Sequence, residues 1–303
     1  AMPAMRWDAL NFIKRNLGGW LIILPSLALF VFFVWLPLFS NISLSLFETK
    51  GLNKEHFVWF ENYAAVFKDA LFLKALWNTC KYAFWSILIG FLLPIVMAVI
   101  LNEVVHLKGV FRVFAYLPNM VPGVAAAILW TFLFDPSAGS MVNSILVSLG
   151  GKPSLLIDDS RLSIILIVVA MTWKGAGATM LIYLAALQGV DSTYYEAARL
   201  DGANFAQRLR YVTLPYLLPN ISVLFVLQII SVFQVFYEPM VMLDGGTDAS
   251  VSLMLLSYNY AFRDREAGLS AATGVILAGI IFALRAYTSP FTESTPTKIK
   301  GEV

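Results

Sequence analysis

The chain has 303 residues, 59% of them hydrophobic and 13% charged, with a mean hydropathy of +0.76. A soluble domain is nearer a quarter charged, so too little polar surface remains to cover a water-soluble body of this size, and lipid is the implied solvent. The net charge of +2 argues neither for nor against nucleic acid, while one cysteine (Cys80) and two histidines (His56, His106) exclude an intrachain disulfide and offer no metal-ligand spacing.

A bilayer core of roughly 30 Å takes about 20 apolar residues in a helix. Six stretches qualify, at about 20–40, 83–101, 110–134, 163–186, 221–243 and 269–284. They are runs of Leu, Ile, Val, Phe and Ala without period-two alternation, which predicts helices and not a barrel. The expected fold is therefore an all-α integral membrane protein, with residues 1–19 before the membrane domain, 20–284 within it and 285–303 as a polar tail. The first apolar stretch is too long for a signal peptide and no small-residue cleavage site follows it, so it reads as a retained span.

The basic residues set the orientation. With the N-terminus inside, eleven Lys and Arg fall on the cytoplasmic side and nine outside, and Lys174 lies within a span. Lys14 and Arg15, just ahead of Trp20, reinforce that bias and place both termini in the cytoplasm. The external connections are then about 41–82, 135–162 and 244–268. In the first of them, Phe67, Leu71, Phe72 and Leu76 recur among charged residues between Trp59 and Trp77, which predicts an amphipathic helix in the interface.

The longest internal connection, about 187–220, reads GVDSTYYEAARLDGANFAQRLRYVTLPYLLPN from Gly189. Thr193 and Glu196 stand in capping-box relation, predicting a helix from Ser192 or Thr193. Gly202 supplies a left-handed residue to end it. Asn204 with Gln207 is placed to cap a second helix, expected to stop at Pro215. A short helix followed by a sharp turn presents a compact knob to a partner: Ala197 and Ala198 permit close approach, and Glu196 and Arg199 offer charge. An ordinary solvated loop helix satisfies the same pattern.

Glu196-Ala197-Ala198, then Gly202, then Leu214-Pro215, resembles the EAA loop of bacterial ABC importer permeases. The fuller string, from Tyr195 through Asp201-Gly202-Ala203 to Thr213-Leu214-Pro215, is similar to the carbohydrate, maltose-type branch. Leu117-Pro118, Pro122, Trp130, Gly139 and Asn143 look like the same pattern, as do Gly245-Gly246-Thr247, Tyr258, Tyr260-Ala261-Phe262 and Gly268, so the likeness covers roughly residues 15–285. Asp244-Gly245-Gly246-Thr247 departs from the Gly-Gly-Pro run common in that family.

The resemblance implies an ATPase-coupling helix carrying Glu196, Ala197, Ala198, Arg199, Asp201 and Gly202, with Glu196 for polar contact and Gly202 for the turn. It implies a second permease, two cytoplasmic ATPase subunits, an external solute-binding protein and a sugar substrate, all at the bacterial inner membrane. ATP and Mg would be used by the ATPases; this chain is expected to hold no cofactor, and its Gly151-Lys152-Pro153 lacks phosphate-loop spacing. Another polar solute, such as a glycerol phosphate or polyamine, remains open. An ion-coupled carrier fits less well, because the two halves show no repeat and the loop would have no purpose.

Charge inside a span is costly and marks function by default. Lys174 sits in Trp173-Lys174-Gly175-Ala176-Gly177, mid-way along the fourth span. Either Trp173 and Lys174 line the substrate path, with the indole stacking on a sugar ring, or Lys174 pairs with an acid or carbonyl at a helix interface. Gln234, Tyr237 and Glu238 fall at i, i+3 and i+4 and are expected to share one helix face. Asn119, between Pro118 and Pro122, is expected at a broken helix. These six form the candidate path; each also reads as a packing or interhelical hydrogen-bond residue.

Overall fold

The computed structural model describes residues 17–103 and 107–293. Arg6, Lys14, Arg15, His106, Lys298 and Lys300 lie outside the described residues. Among the described residues five helices are long and apolar enough to cross a membrane: α1 (Gly18–Leu44), α3 (Ala70–Glu103), α7 (Ser163–Leu187), α9 (Phe205–Phe233) and α12, which is Ala267–Glu293 in full. A further pair, α4 (Lys108–Met120) and α5 (Gly123–Leu133), is apolar enough to cross only when taken together, and the two are bent by 95° at the break between them. Short helices fill the connections: α2 (Glu61–Lys68), α6 (Met141–Ser148), α8 (Ser192–Leu200), α10 (Tyr237–Met242) and α11 (Leu253–Phe262). A hairpin of β1 (Phe47–Lys50) and β2 (Asn53–Phe57) follows α1.

Between apolar helices in lipid, burial from water gives little drive, and close van der Waals packing holds them instead. The centre of that packing is α7, where twelve residues are buried, among them Ile167, Val168, Met180, Tyr183 and Leu187. It contacts α3, α4 and α9. Ile167 and Val168 meet Tyr82 and Val232 in one cluster; Met180 and Tyr183 meet Ala98 and Leu217 in another. The Gly175-Ala176-Gly177 run does its work at Gly177, where α4 comes so near that a Cβ would lie 1.8 Å from the Ala115 carbonyl oxygen.

Three spans carry prolines without breaking. A proline lacks the N–H of its own turn and its ring strikes the carbonyl four residues back. In α1, α3 and α9 the backbone widens into a π turn at Val31–Trp35, Ser86–Phe91 and Leu209–Thr213. Pro37, Pro94 and Pro215 follow directly, and the residues four before them, Phe33, Gly90 and Tyr211, all lie inside those wide turns. The wide turn moves the offending carbonyl aside. This overturns the expected stop at Pro215: the helix capped by Asn204 continues through Pro215 and Pro219 to Phe233 as one span.

Other boundaries also differ from expectation. The amphipathic stretch before the second span is not one interfacial helix. It divides at Asp69, which caps α3 by accepting from the Leu71 N–H at 2.8 Å, and Ala70–Trp77 becomes the first turns of α3. At 34 residues α3 is about 51 Å long, well beyond the hydrocarbon thickness. The connection 244–268 contains α11, whose Leu253, Leu255 and Leu256 are buried against α3 and α12.

The end of the molecule opposite α8 is tied by asparagines that satisfy loop carbonyls. Asn62 donates to Ser45 and Phe47 oxygens, both at 2.9 Å, and Asn78 to Asp248 and Val251 oxygens at 3.0 and 3.2 Å. Fully buried Asn143 reaches the Pro136, Ser137 and Ser154 carbonyls at 2.9–3.1 Å and accepts from the Ser154 N–H.

Candidate functional site

Between α7 and α9 the chain builds an exposed knob. Asp191 caps α8, its carboxylate accepting from the Thr193 N–H at 2.9 Å, and that bond holds the carboxyl below its usual range. Asp191 thus takes the capping role expected of Thr193 with Glu196, and Glu196 is left free on an exposed face. The other end closes in a Schellman turn: the Ala203 N–H donates to Ala198 O at 2.9 Å and the Gly202 N–H to Arg199 O at 3.0 Å. Gly202 has φ +76°, where any side chain is strained, and open space surrounds it. The Asn204–Gln207 capping box forms as expected, with reciprocal bonds of 2.8 and 2.9 Å.

No residue of α8 is buried. Glu196, Ala197, Arg199 and Asp201 are exposed, Ala198 is half-buried, and Leu200 is 89% exposed. A nine-residue helix with nothing buried is held by its caps and by a few bonds to the spans. Tyr195 and Thr213 hydroxyls lie 3.1 Å apart, and Tyr216 donates to Gly189 O at 3.0 Å. A cleft of about 410 Å³ runs between α8 and the end of α3, with Glu103 and Lys108 on one wall and Glu196 and Arg199 on the other.

A second feature lies within the spans. A cavity of about 200 Å³ is lined from four helices: Ser86 and Gly90 of α3, Thr172, Lys174 and Thr179 of α7, Gln228 and Ser231 of α9, Tyr237 and Glu238 of α10. The π turn at Ser86–Phe91 aims Ser86 and Gly90 into it, and Gln228 Nε2 donates to Ser86 Oγ at 2.5 Å. Lys174 and Glu238 bring opposite charges to this one space without a direct ion pair between them.

Three of the six expected path residues, Lys174, Tyr237 and Glu238, come together here. The other three do not. Gln234 is exposed, and the shared face with Tyr237 and Glu238 is lost because α9 ends at Phe233 and Phe236 breaks the helix with φ −142° and ψ −63°. Trp173 turns to Trp130, edge to face at 5.7 Å. Asn119 sits at the expected break, the penultimate residue of α4 before Val121 in extended backbone, and is not among the residues lining the cavity. Gln228, Ser86, Thr172, Thr179 and Ser231 complete the polar lining; a lone polar residue in an apolar run gives no signal of its facing.

A polar cavity shared by several long apolar helices, with an exposed capped helix between two of them, is the architecture of a multi-pass membrane protein with a sheltered polar site and a separate exposed knob. Residues 90–289 match the family described as the binding-protein-dependent transport system inner membrane component, and the chain belongs to that family. It is similar to the arabinooligosaccharides transport system permease protein AraP of Bacillus subtilis, with 29% identity over 276 residues covering 90% of this chain and 88% of that one. It is also similar to the lactose transport system permease protein LacF of Rhizobium radiobacter, with 30% identity over 289 residues covering 91% and 96%. A chain of a bacterial ABC transporter importing the acidic polysaccharide alginate shares the fold, with TM-score 0.82, 22% identity, and coverage of 94% and 98%. The chain is a permease component of an ABC importer, and ATP hydrolysis resides in a separate polypeptide.

Proposed function

We propose that this permease carries a sugar or oligosaccharide, handed over by an external binding protein, along a path it forms with a second permease. The sugar-permease relatives support the substrate class. In this reading the α8 end faces the cytoplasm, with both chain termini, and α8 seats on one of two ATPase subunits. Glu196 and Arg199 make polar contacts, Ala197 and Ala198 allow the helix to lie close, and Asp201 with Gly202 shapes the turn. ATP-driven closure of the ATPases then swings the spans between inward-facing and outward-facing states. The cavity around Lys174, Gln228, Tyr237 and Glu238 is this chain's share of the path, where hydroxyls of a sugar find donors and acceptors in place of water.

The observation that carries the reading is a helix with no buried residue, capped at both ends, between two long spans. It is costly to order and of no packing use unless a partner covers it. The test is purification of the tagged chain from its native membrane in mild detergent. An ATPase and a second permease should accompany it, and Glu196→Lys or Gly202→Pro should release the ATPase alone. A chain that purifies without an ATPase contradicts the proposal.

A further inference from the structure

Arg208 lies at the first turn of α9, and only 16% of its side chain is exposed. One guanidinium arm donates to the Ala203 carbonyl at 3.1 Å, gripping the turn that ends α8. The other arm faces Glu103 Oε2 at 4.0 Å, at the last residue of α3. Its Nε is buried with no hydrogen-bond partner among the described residues.

The same two helices are joined again at the polar cavity, by the bond from Gln228 of α9 to Ser86 of α3. Gln228 is 20 residues, about 30 Å, beyond Arg208, and Ser86 is 17 residues, about 26 Å, before Glu103. These near-equal arms run antiparallel, so α3 and α9 form a frame pinned at both ends. One pin holds the knob and the other forms cavity wall.

We propose that Arg208 is a positioning residue that ties the α8 turn to α3 through Glu103, so that displacement of α8 moves both walls of the cavity together. This rests on the coupling role proposed above. Without the tie, α8 drives α9 alone. The Ser86–Gln228 wall then shears, and ATP is hydrolysed without productive rearrangement of the cavity. The guanidinium suits the task because one arm donates to the Ala203 carbonyl while the other keeps its charge 4.0 Å from Glu103, a division that the single ammonium of a lysine does not offer.

The test uses the intact importer, with its ATPases and binding protein, in proteoliposomes containing Arg208→Ala, Arg208→Lys, Glu103→Gln and the Arg208→Ala/Glu103→Gln double variant. The readout is solute moved per ATP hydrolysed. Each single variant should lower that ratio about fivefold while the ATPase still co-purifies, and the double variant should be no worse than Arg208→Ala, since both break one link. Glu103→Gln preserves shape at a partly exposed helix end, so it reads the link even where Arg208→Ala folds poorly. An unchanged ratio, a proportional fall in transport and hydrolysis, or losses that multiply in the double variant would overturn the proposal. Loss of the ATPase from the unsubstituted complex would instead sink the importer reading beneath it.

Discussion

Gly175 and Gly177 lie two residues apart in α7, and alanine at each should have opposite effects. At Gly177 a Cβ would stand 1.8 Å from Ala115 O and 2.5 Å from Ala115 C, both backbone atoms of α4 that no rotamer change can move. An unstrained carbon–oxygen approach is about 3.3 Å, so α4 and α7 must part by about 1.5 Å. That opens the contact between them and the cluster of Met180, Tyr183 and Ala98 below it. Overpacking costs typically 1–3 kcal/mol, and a forced backbone separation belongs at the upper end, about 3 kcal/mol. At Gly175 nothing lies within 4 Å, and alanine in a helix interior gains roughly 0.5–1 kcal/mol over glycine. Thermal unfolding of the purified variants in one detergent, followed by tryptophan fluorescence, should show Gly177→Ala lowered by about 6 °C or more, at about 2 °C per kcal/mol, and Gly175→Ala unchanged or slightly raised. Equal shifts at the two positions would refute the close crossing of α4 and α7.

Gly202→Ala forces a side chain into the left-handed region at about 1–2 kcal/mol; ATPase retention on a tagged column should fall while the melting temperature holds, because α8 buries nothing, and Gly202→Asn should retain more. Asn143→Ala removes four loop bonds at a fully buried site and should cost about 2–4 kcal/mol, read as cleavage within 136–154 under limited proteolysis. Since the Asp191 carboxyl is held below its normal range in the folded state, its cap is complete at neutral pH and is lost as pH falls through that depressed value; amide exchange in α8 should accelerate there, and Asp191→Asn should remove that acid dependence. Lys174→Met should lower transport at least tenfold without releasing the ATPase, measured as uptake beside pull-down.

The membrane class was legible wherever a span is uninterrupted: the fourth was expected at 163–186 and is Ser163–Leu187. The knob was legible because its signals are local. Gly202 and the Asn204–Gln207 box act over a few residues and do not depend on the rest of the fold. Asp191 was missed because three adjacent capping residues, Asp191, Ser192 and Thr193, compete for one position and local sequence does not rank them. Pro215 misled because a proline normally ends a helix, and the compensating π turn is set by packing instead of residue type. The break after Phe233 separated Gln234 from Tyr237 and Glu238, since periodicity assumes a continuous helix. Ser86 and Gln228 meet across 142 positions of chain, a contact that one-dimensional pattern does not contain.

Reconstituted uptake tests the central claim most directly. The complex purified from its native membrane is placed in liposomes, with binding protein and labelled oligosaccharide outside and ATP and Mg trapped inside. The account predicts uptake that requires internal ATP, requires the binding protein, and disappears with Glu196→Lys while the cavity residues are intact. Uptake by this chain alone, driven by an ion gradient and indifferent to Glu196→Lys, would contradict it.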